Sequence, residues 1–204
     1  MNNPASALNK IYHAEISAGS LMPLESRRIA ALLLTIPDAN TWKKALIEDN
    51  ILQKKTPKTA LRQANLIKKR LITLDAVAWE MIANREQEVA LQLLLVAAMK
   101  QSHLLTDFFQ SVYLEHLRRL DVAIVVNDWE VFMAECAHKD TSVKQWSALT
   151  QRKLFEVIRR ILVEAKYLEN TRTMKLTPQA LHPNVQRYLA QQGDDAFLNL
   201  LEFR

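Results

Sequence analysis

Apolar side chains recur at helical spacing along most of this chain. Ile29, Leu32 and Leu33 form the apolar side of a first helix, from about Leu24 to Thr35. Pro37-Asp38-Ala39-Asn40 reads as a turn, with Thr41 as cap of a second helix from Trp42 to about Asp49. The third helix is the cleanest. Ala60, Ala64, Ile67, Leu71 and Leu74 are spaced by four, three, four and three, so they share one face of a helix from Pro57 to near Leu74. Thr56 as N-cap and Pro57 as first helical residue mark its start. Short helices joined by short turns, with a longer third helix, match a helix-turn-helix organisation.

The middle reads as core. Val89 to Met99 is apolar nearly all round, broken by Gln92, as a buried helix should be. A second helix from Leu104 to Leu120 turns Leu105, Phe108 and Val112 inward, with Phe109 as a further candidate. Asn127 or Asp128 can cap a helix carrying Trp129, Phe132 and Met133. Farther on, Thr150 can cap a helix to about Ala165 that buries Leu154, Ile158, Ile161 and Ala165. Tyr167 to Leu176 then alternates short apolar runs around a polar turn, which predicts a small hairpin despite the absence of glycine. A helix followed by such a hairpin suggests a winged helix with Arg172 at the wing tip. Thr177-Pro178 and Asp194 mark later helix starts, and Gly193 a helix end.

Composition sharpens the class. Two glycines among 204 residues argue against hairpin-rich β structure and remove every glycine-rich phosphate loop. The expected fold is all-α, a compact multi-helix protein. It divides into an N-terminal helix-turn-helix-like bundle (1–76), central core helices (77–138) and a C-terminal basic helical region with a small wing (139–204). A single cysteine, Cys136, excludes an intramolecular disulfide and suits a reducing cytosol. The apolar run 89–99 is too short for a membrane span, which needs roughly 20 residues. With no signal peptide legible at the start, the expected location is cytoplasmic, with no membrane partner.

Charge changes the picture most. Residues 43–70 hold nine Lys/Arg against two acids, a balance of +7 within a chain of net charge +5. Residues 71–138 carry −6, and residues 139–175 carry +5. Two basic blocks therefore flank an acidic middle, a segregation that suits a polyanionic partner. On the third helix, Lys58, Arg62, Asn65 and Lys69 fall opposite the apolar face, and Lys54 and Lys55 cluster at its start, where backbone N–H groups also approach phosphate. Lys68 and Arg70 fall on the flanks, where their stems can snorkel. No acid between Lys54 and Arg70 can pair with these bases along the helix. Asn65 sits where an amide could read an adenine edge. In the second block Arg152, Lys153, Arg159, Arg160 and Arg172 are the candidates, although Glu156 and Glu164 offer them local partners. A solvated amphipathic helix has the same pattern, so the sequence leaves both readings open.

Catalytic chemistry is poorly supported. His13, His103, His116, His138 and His182 form no paired metal-ligand motif, and no nucleophile elbow is present. No metal or cofactor is expected. Cys136 reads as a buried packing residue. Trp42, Trp79, Trp129 and Trp146 read as packing aromatics. No aromatic interleaves the basic face, which favours duplex backbone contact over single-strand stacking.

Across its length the chain also resembles the BrxA family, the small helical component of type I bacteriophage exclusion (BREX) systems. The resemblance rests on Gly19-Ser20-Leu21 with Glu25-Ser26, Trp42, Asn50-Ile51-Leu52-Gln53-Lys54 and Arg70-Leu71. It continues through Leu105 with Asp107-Phe108, Trp129 with Phe132, and Trp146 with Thr150 and Lys153-Leu154. It implies a non-enzymatic, all-helical antiphage protein that binds double-stranded DNA, other BREX proteins as further partners, and a fold partly similar to NusB-type RNA-binding bundles. Three functions stay open: a DNA-binding accessory protein, an assembly scaffold of the defence complex, and a NusB-like RNA binder. The oligomeric state is not legible.

Overall fold

The computed structural model describes residues 11–202, and the helical periodicities become an all-α fold. The elements are α1 (Pro23–Leu34), α2 (Ala39–Ile47), α3 (Pro57–Leu71), α4 (Ala76–Asn84), α5 (Gln87–Gln101), α6 (His103–Phe108), α7 (Leu114–Arg118), α8 (Val126–Lys139), α9 (Ala148–Glu164), α10 (Pro183–Gln192) and α11 (Asp195–Leu201). A π-helical turn, Phe109–Tyr113, joins α6 to α7, and a 3-10 turn, Ala14–Ala18, precedes α1. Among the described residues β structure is limited to two isolated antiparallel bridges, Ala123 with Lys175 and Leu168 with Leu176.

The core sits around α5, on which every side chain from Val89 to Met99 is buried. Even Gln92 is buried, and its amide is used at both ends: Nε2 donates to the Ala180 carbonyl and Oε1 accepts from the His182 N–H. Helices α1, α3, α4 and α10 pack against α5. A second cluster is aromatic. The Phe108 ring meets Phe132 edge-on at 5.2 Å, and Trp129 stacks on Phe155 at 5.0 Å, so one group of rings ties α6, α8 and α9 together.

Several helix starts move by a few residues from their expected places. Asp38, not Thr41, caps α2, its carboxylate accepting from the Thr41 N–H at 2.7 Å. Ser147, not Thr150, caps α9, accepting from the Thr150 N–H. Asp128 lies inside α8 and reaches back to the Val125 N–H at 2.7 Å. In α2 and α9 an acceptor three residues before the expected one matches the helix geometry better, and in α8 Asp128 acts from the third helical position on the Val125 N–H. Helix α3 stops at Leu71, and Leu74 is buried beyond its end. Thr177-Pro178 starts no helix: residues 178–182 run as an irregular segment, and α10 begins after His182, whose Nδ1 accepts from the Asn184 N–H. Gly193 ends α10 in the left-handed region at φ 70°, as expected.

The Thr56 cap on α3 is present, its hydroxyl accepting from the Thr59 N–H at 3.2 Å. Thr56→Ala should lower stability by about 1 kcal/mol in urea unfolding, because an orphan N–H of the first turn loses its partner.

Candidate nucleic-acid interface

Helix α3 divides its two faces as its periodicity demands. Ala60, Ala64, Ile67 and Leu71 are buried, while Lys58, Arg62, Asn65 and Lys69 are exposed. The loop before it is shaped by Asn50, which takes the left-handed conformation at φ 43° that asparagine tolerates. Its side chain accepts from the Lys54 N–H and donates to the Lys54 carbonyl, fixing the approach to α3.

Tertiary structure supplies acids that the helix itself lacks. Lys54 Nζ lies 2.5 Å from Glu25 of α1, and both side chains are largely covered. Lys69 pairs with Glu15 at 3.2 Å in the open, and Arg62 donates to the Ala18 carbonyl at 3.1 Å. Glu15 and Ala18 belong to the segment before α1, which runs along the outer face of α3 as a strap. Lys55 and Lys58 are exposed, with no ion pair among the described residues. Lys68 stands over the Trp42 ring at 4.5 Å, a cation–π contact that partly explains why this tryptophan sits beside a basic helix.

Arg70 corrects the snorkelling expectation. Its side chain is buried, and its guanidinium donates to the Ser20 carbonyl at 2.5 Å, the Gly19 carbonyl at 2.8 Å and Gln101 Oε1 at 3.3 Å. Burial lowers its pKa to about 10, opposed by the nearby Glu164 carboxylate, so it stays charged at neutral pH. Glu164, at the end of α9, takes the other side of the same strap: it accepts from Ser20 Oγ at 2.7 Å and from the Met22 N–H at 3.1 Å. Gly19 fits because the strap passes close to α3. A Cβ there would stand 3.0 Å from Leu66 Cδ2. Farther back, Asp140 accepts from the Ile11 and Tyr12 N–H groups. The strap thus links α3 to α8 and α9, and no periodicity in the sequence announces it.

The second basic block is arranged on α9 and the hairpin after it. In chain order the helical run 103–118 is followed by a short extended piece at 122–124, then α8, α9 and the hairpin 167–177. The extended piece pairs with the hairpin: Ile124 donates to the Met174 carbonyl and Leu176 to the Val122 carbonyl. The turn forms without glycine: Asn170 Oδ1 accepts from the N–H groups of Arg172 and Thr173, and Met174 takes the left-handed conformation at φ 48°. Arg172 is exposed on this turn. Arg159 packs over the Phe155 ring at 4.4 Å and donates to the Thr171 carbonyl, so it braces the hairpin against α9. Lys153 pairs with Glu156 at 3.6 Å. Arg152 and Arg160 are exposed, with no ion pair among the described residues. By helical spacing Lys153 and Arg160 fall within about 40° of Glu164 on α9.

Cys136 is buried, and burial pushes its thiol up to about 12. Among the described residues no three His, Cys, Asp or Glu side chains are grouped to hold a metal. No single helix there is long and apolar enough to cross a membrane. The segments 87–101 and 103–118 pass that test only as a pair, bent by 113°.

Comparison with known proteins agrees with this architecture. The BrxA family model matches residues 10–193. A BREX protein BrxA from Escherichia coli O9:H4 is 34% identical over 194 residues, covering 95% of this chain and 91% of its own. One from Paramagnetospirillum magneticum is 32% identical over 191 residues, covering 94% and 96%. A crystal structure of an uncharacterized protein from Magnetospirillum magneticum superposes with a TM-score of 0.85 at 30% identity, over 94% of this chain and 98% of that one.

Proposed function

This chain belongs to the BrxA family, and from that premise we propose that it is a non-enzymatic accessory protein of a BREX antiphage system that binds double-stranded DNA. The single observation that carries the DNA reading is the order of elements in residues 103–177. Helix, a short segment bridged to the later hairpin, helix, helix and a hairpin closed by one bridge follow one another, the order of a winged helix without its formed strands. In that architecture the second helix of the pair lies against the duplex and the hairpin reaches the neighbouring backbone. Here that helix is α9 and the hairpin tip carries Arg172. Of the five candidate bases in the second block, Arg152, Arg160 and Arg172 make no ion pair among the described residues, and they lie on these two elements. The start of α3, with Lys55 and Lys58, supplies further phosphate contacts, and Asn65 stands near base edges. Lys54, Arg62, Lys69 and Arg159 hold the structure that presents the others, and those of them at the surface add to the field.

Binding of this kind is mainly electrostatic. With about five phosphates neutralised, the logarithm of the duplex association constant should fall against the logarithm of salt concentration with a slope of about −4.5. A fluorescence-anisotropy titration of a labelled duplex across salt concentrations measures it. A flat salt dependence would refute duplex binding through these bases. Competition by RNA at the same concentration as duplex would move the reading to an RNA-binding protein.

A further inference from the structure

The acidic middle of the chain builds a different surface. Leu120, Val122, Val125, Val126 and Val131, five large aliphatics within twelve residues, are all exposed, Leu120 to 88% and Val122 to 72%. Single exposed aliphatics are ordinary, but a run of this density on one loop and helix start marks an interaction site. The loop is held in place. The two ring nitrogens of His116 lie 2.8 Å from Asp121 Oδ2 and 2.9 Å from Asp128 Oδ2, which clamps both ends of the loop to α7. Residues 122–124 are paired to the hairpin at 174–176. The aliphatics are thus presented on ordered backbone, which removes much of the entropic cost of docking.

Beside the loop lies an open groove of about 270 Å³, in which Val131 and Phe132 meet Glu115, Asp128, Glu135 and Arg119. His116 also lines the groove and holds Asp128, and Arg118 pairs with Glu115, which leaves Glu135 beside Arg119 within a segment of net charge −6, a setting that favours cations over phosphate. Neither duplex DNA nor an anionic membrane surface suits such a groove, whereas a polypeptide with cationic side chains does. We propose that the surface from Leu120 to Val131 docks a partner protein through a segment of aliphatic side chains flanked by Lys or Arg. The partner's aliphatics would pack on the exposed side chains of Leu120, Val122 and Val131, and its cations would meet Glu135 and its neighbours. Charge complementarity of this kind sets register and excludes wrong partners.

A photoreactive amino acid at Val131 of the full chain, in cells carrying the complete BREX system, tests the proposal, with a second chain labelled at Leu24 as control. The expected result is an adduct to another protein, mapped by mass spectrometry to an aliphatic segment next to Lys or Arg. Its yield should fall at least about tenfold in Leu120→Asp and in Glu135→Lys, and the Leu24 control should not give it. Five results would overturn the proposal: no adduct, an adduct to DNA or to a second copy of this chain, an adduct to a segment without that chemistry, equal yield from Leu24, or yield indifferent to Glu135→Lys. Duplex affinity of Leu120→Asp should stay within about twofold of the parent, so failure here and failure of the DNA reading remain distinguishable.

Discussion

Arg70→Ala is expected to destabilise the chain by about 3–5 kcal/mol, the cost of breaking a buried charged network by removing one partner. For a chain of this size that corresponds to a fall in melting temperature of about 6–20 °C. The large value follows from what is left behind. The Gly19 and Ser20 carbonyls lose their donors, and Glu164 keeps its hold on the strap without the guanidinium that faces it. A cavity the size of the arginine stem adds to the loss. Differential scanning calorimetry, or urea unfolding with far-ultraviolet circular dichroism, reads it directly. Lys69→Ala serves as comparison: it removes an ion pair whose two side chains are both 60% exposed, so it should cost at most about 1 kcal/mol. Equal effects from the two substitutions would show that the strap is not held by burial.

Reversing charge on α9 should have the largest effect on DNA binding. Arg152→Glu with Arg160→Glu is expected to weaken duplex affinity about a hundredfold at low salt, on the basis of roughly tenfold for each charge-assisted hydrogen bond removed. The salt slope should shrink by about 2. Both side chains are exposed, so circular dichroism and melting temperature should hold. Lys55→Glu with Lys58→Glu makes the parallel test on α3. The winged-helix reading expects the α9 pair to matter more. If the α3 pair abolishes binding and the α9 pair does not, the duplex lies against α3. Arg62→Glu is a poorer probe there, because its guanidinium also supports the Ala18 carbonyl of the strap.

Much of the helical frame was legible in the sequence, because burying one side of a helix forces a periodic pattern. Ala60, Ala64, Ile67 and Leu71 on α3 went where their spacing put them, and so did Val89 to Met99 on α5. The caps were legible to within a turn: Asp38 and Ser147 took the places expected of Thr41 and Thr150, since an acceptor side chain at several nearby positions can satisfy the same orphan N–H. Helix α4 escaped notice. Its buried residues are Ala78, Met81 and Ile82, a short set with little polar contrast. The hairpin was legible in outline, with Asn170 side-chain bonds and a left-handed Met174 making the turn that has no glycine.

Charge was harder to read than periodicity, and the reason is physical. An ion pair needs only spatial nearness, so local sequence can exclude partners along a helix but not those from another element. The sequence by itself determined the helices, their inward faces, the excess of base at 43–70 and 139–175, and the absence of glycine-rich phosphate loops. Tertiary structure alone decided which bases were left free. It brought Glu25 to Lys54, Glu15 to Lys69 and Thr171 to Arg159, and it buried Arg70 against a strap from residues fifty positions away. Lys55, Lys58, Arg152, Arg160 and Arg172 keep solvent, with no ion pair among the described residues. That division depends on long-range packing, which no local pattern of side chains encodes.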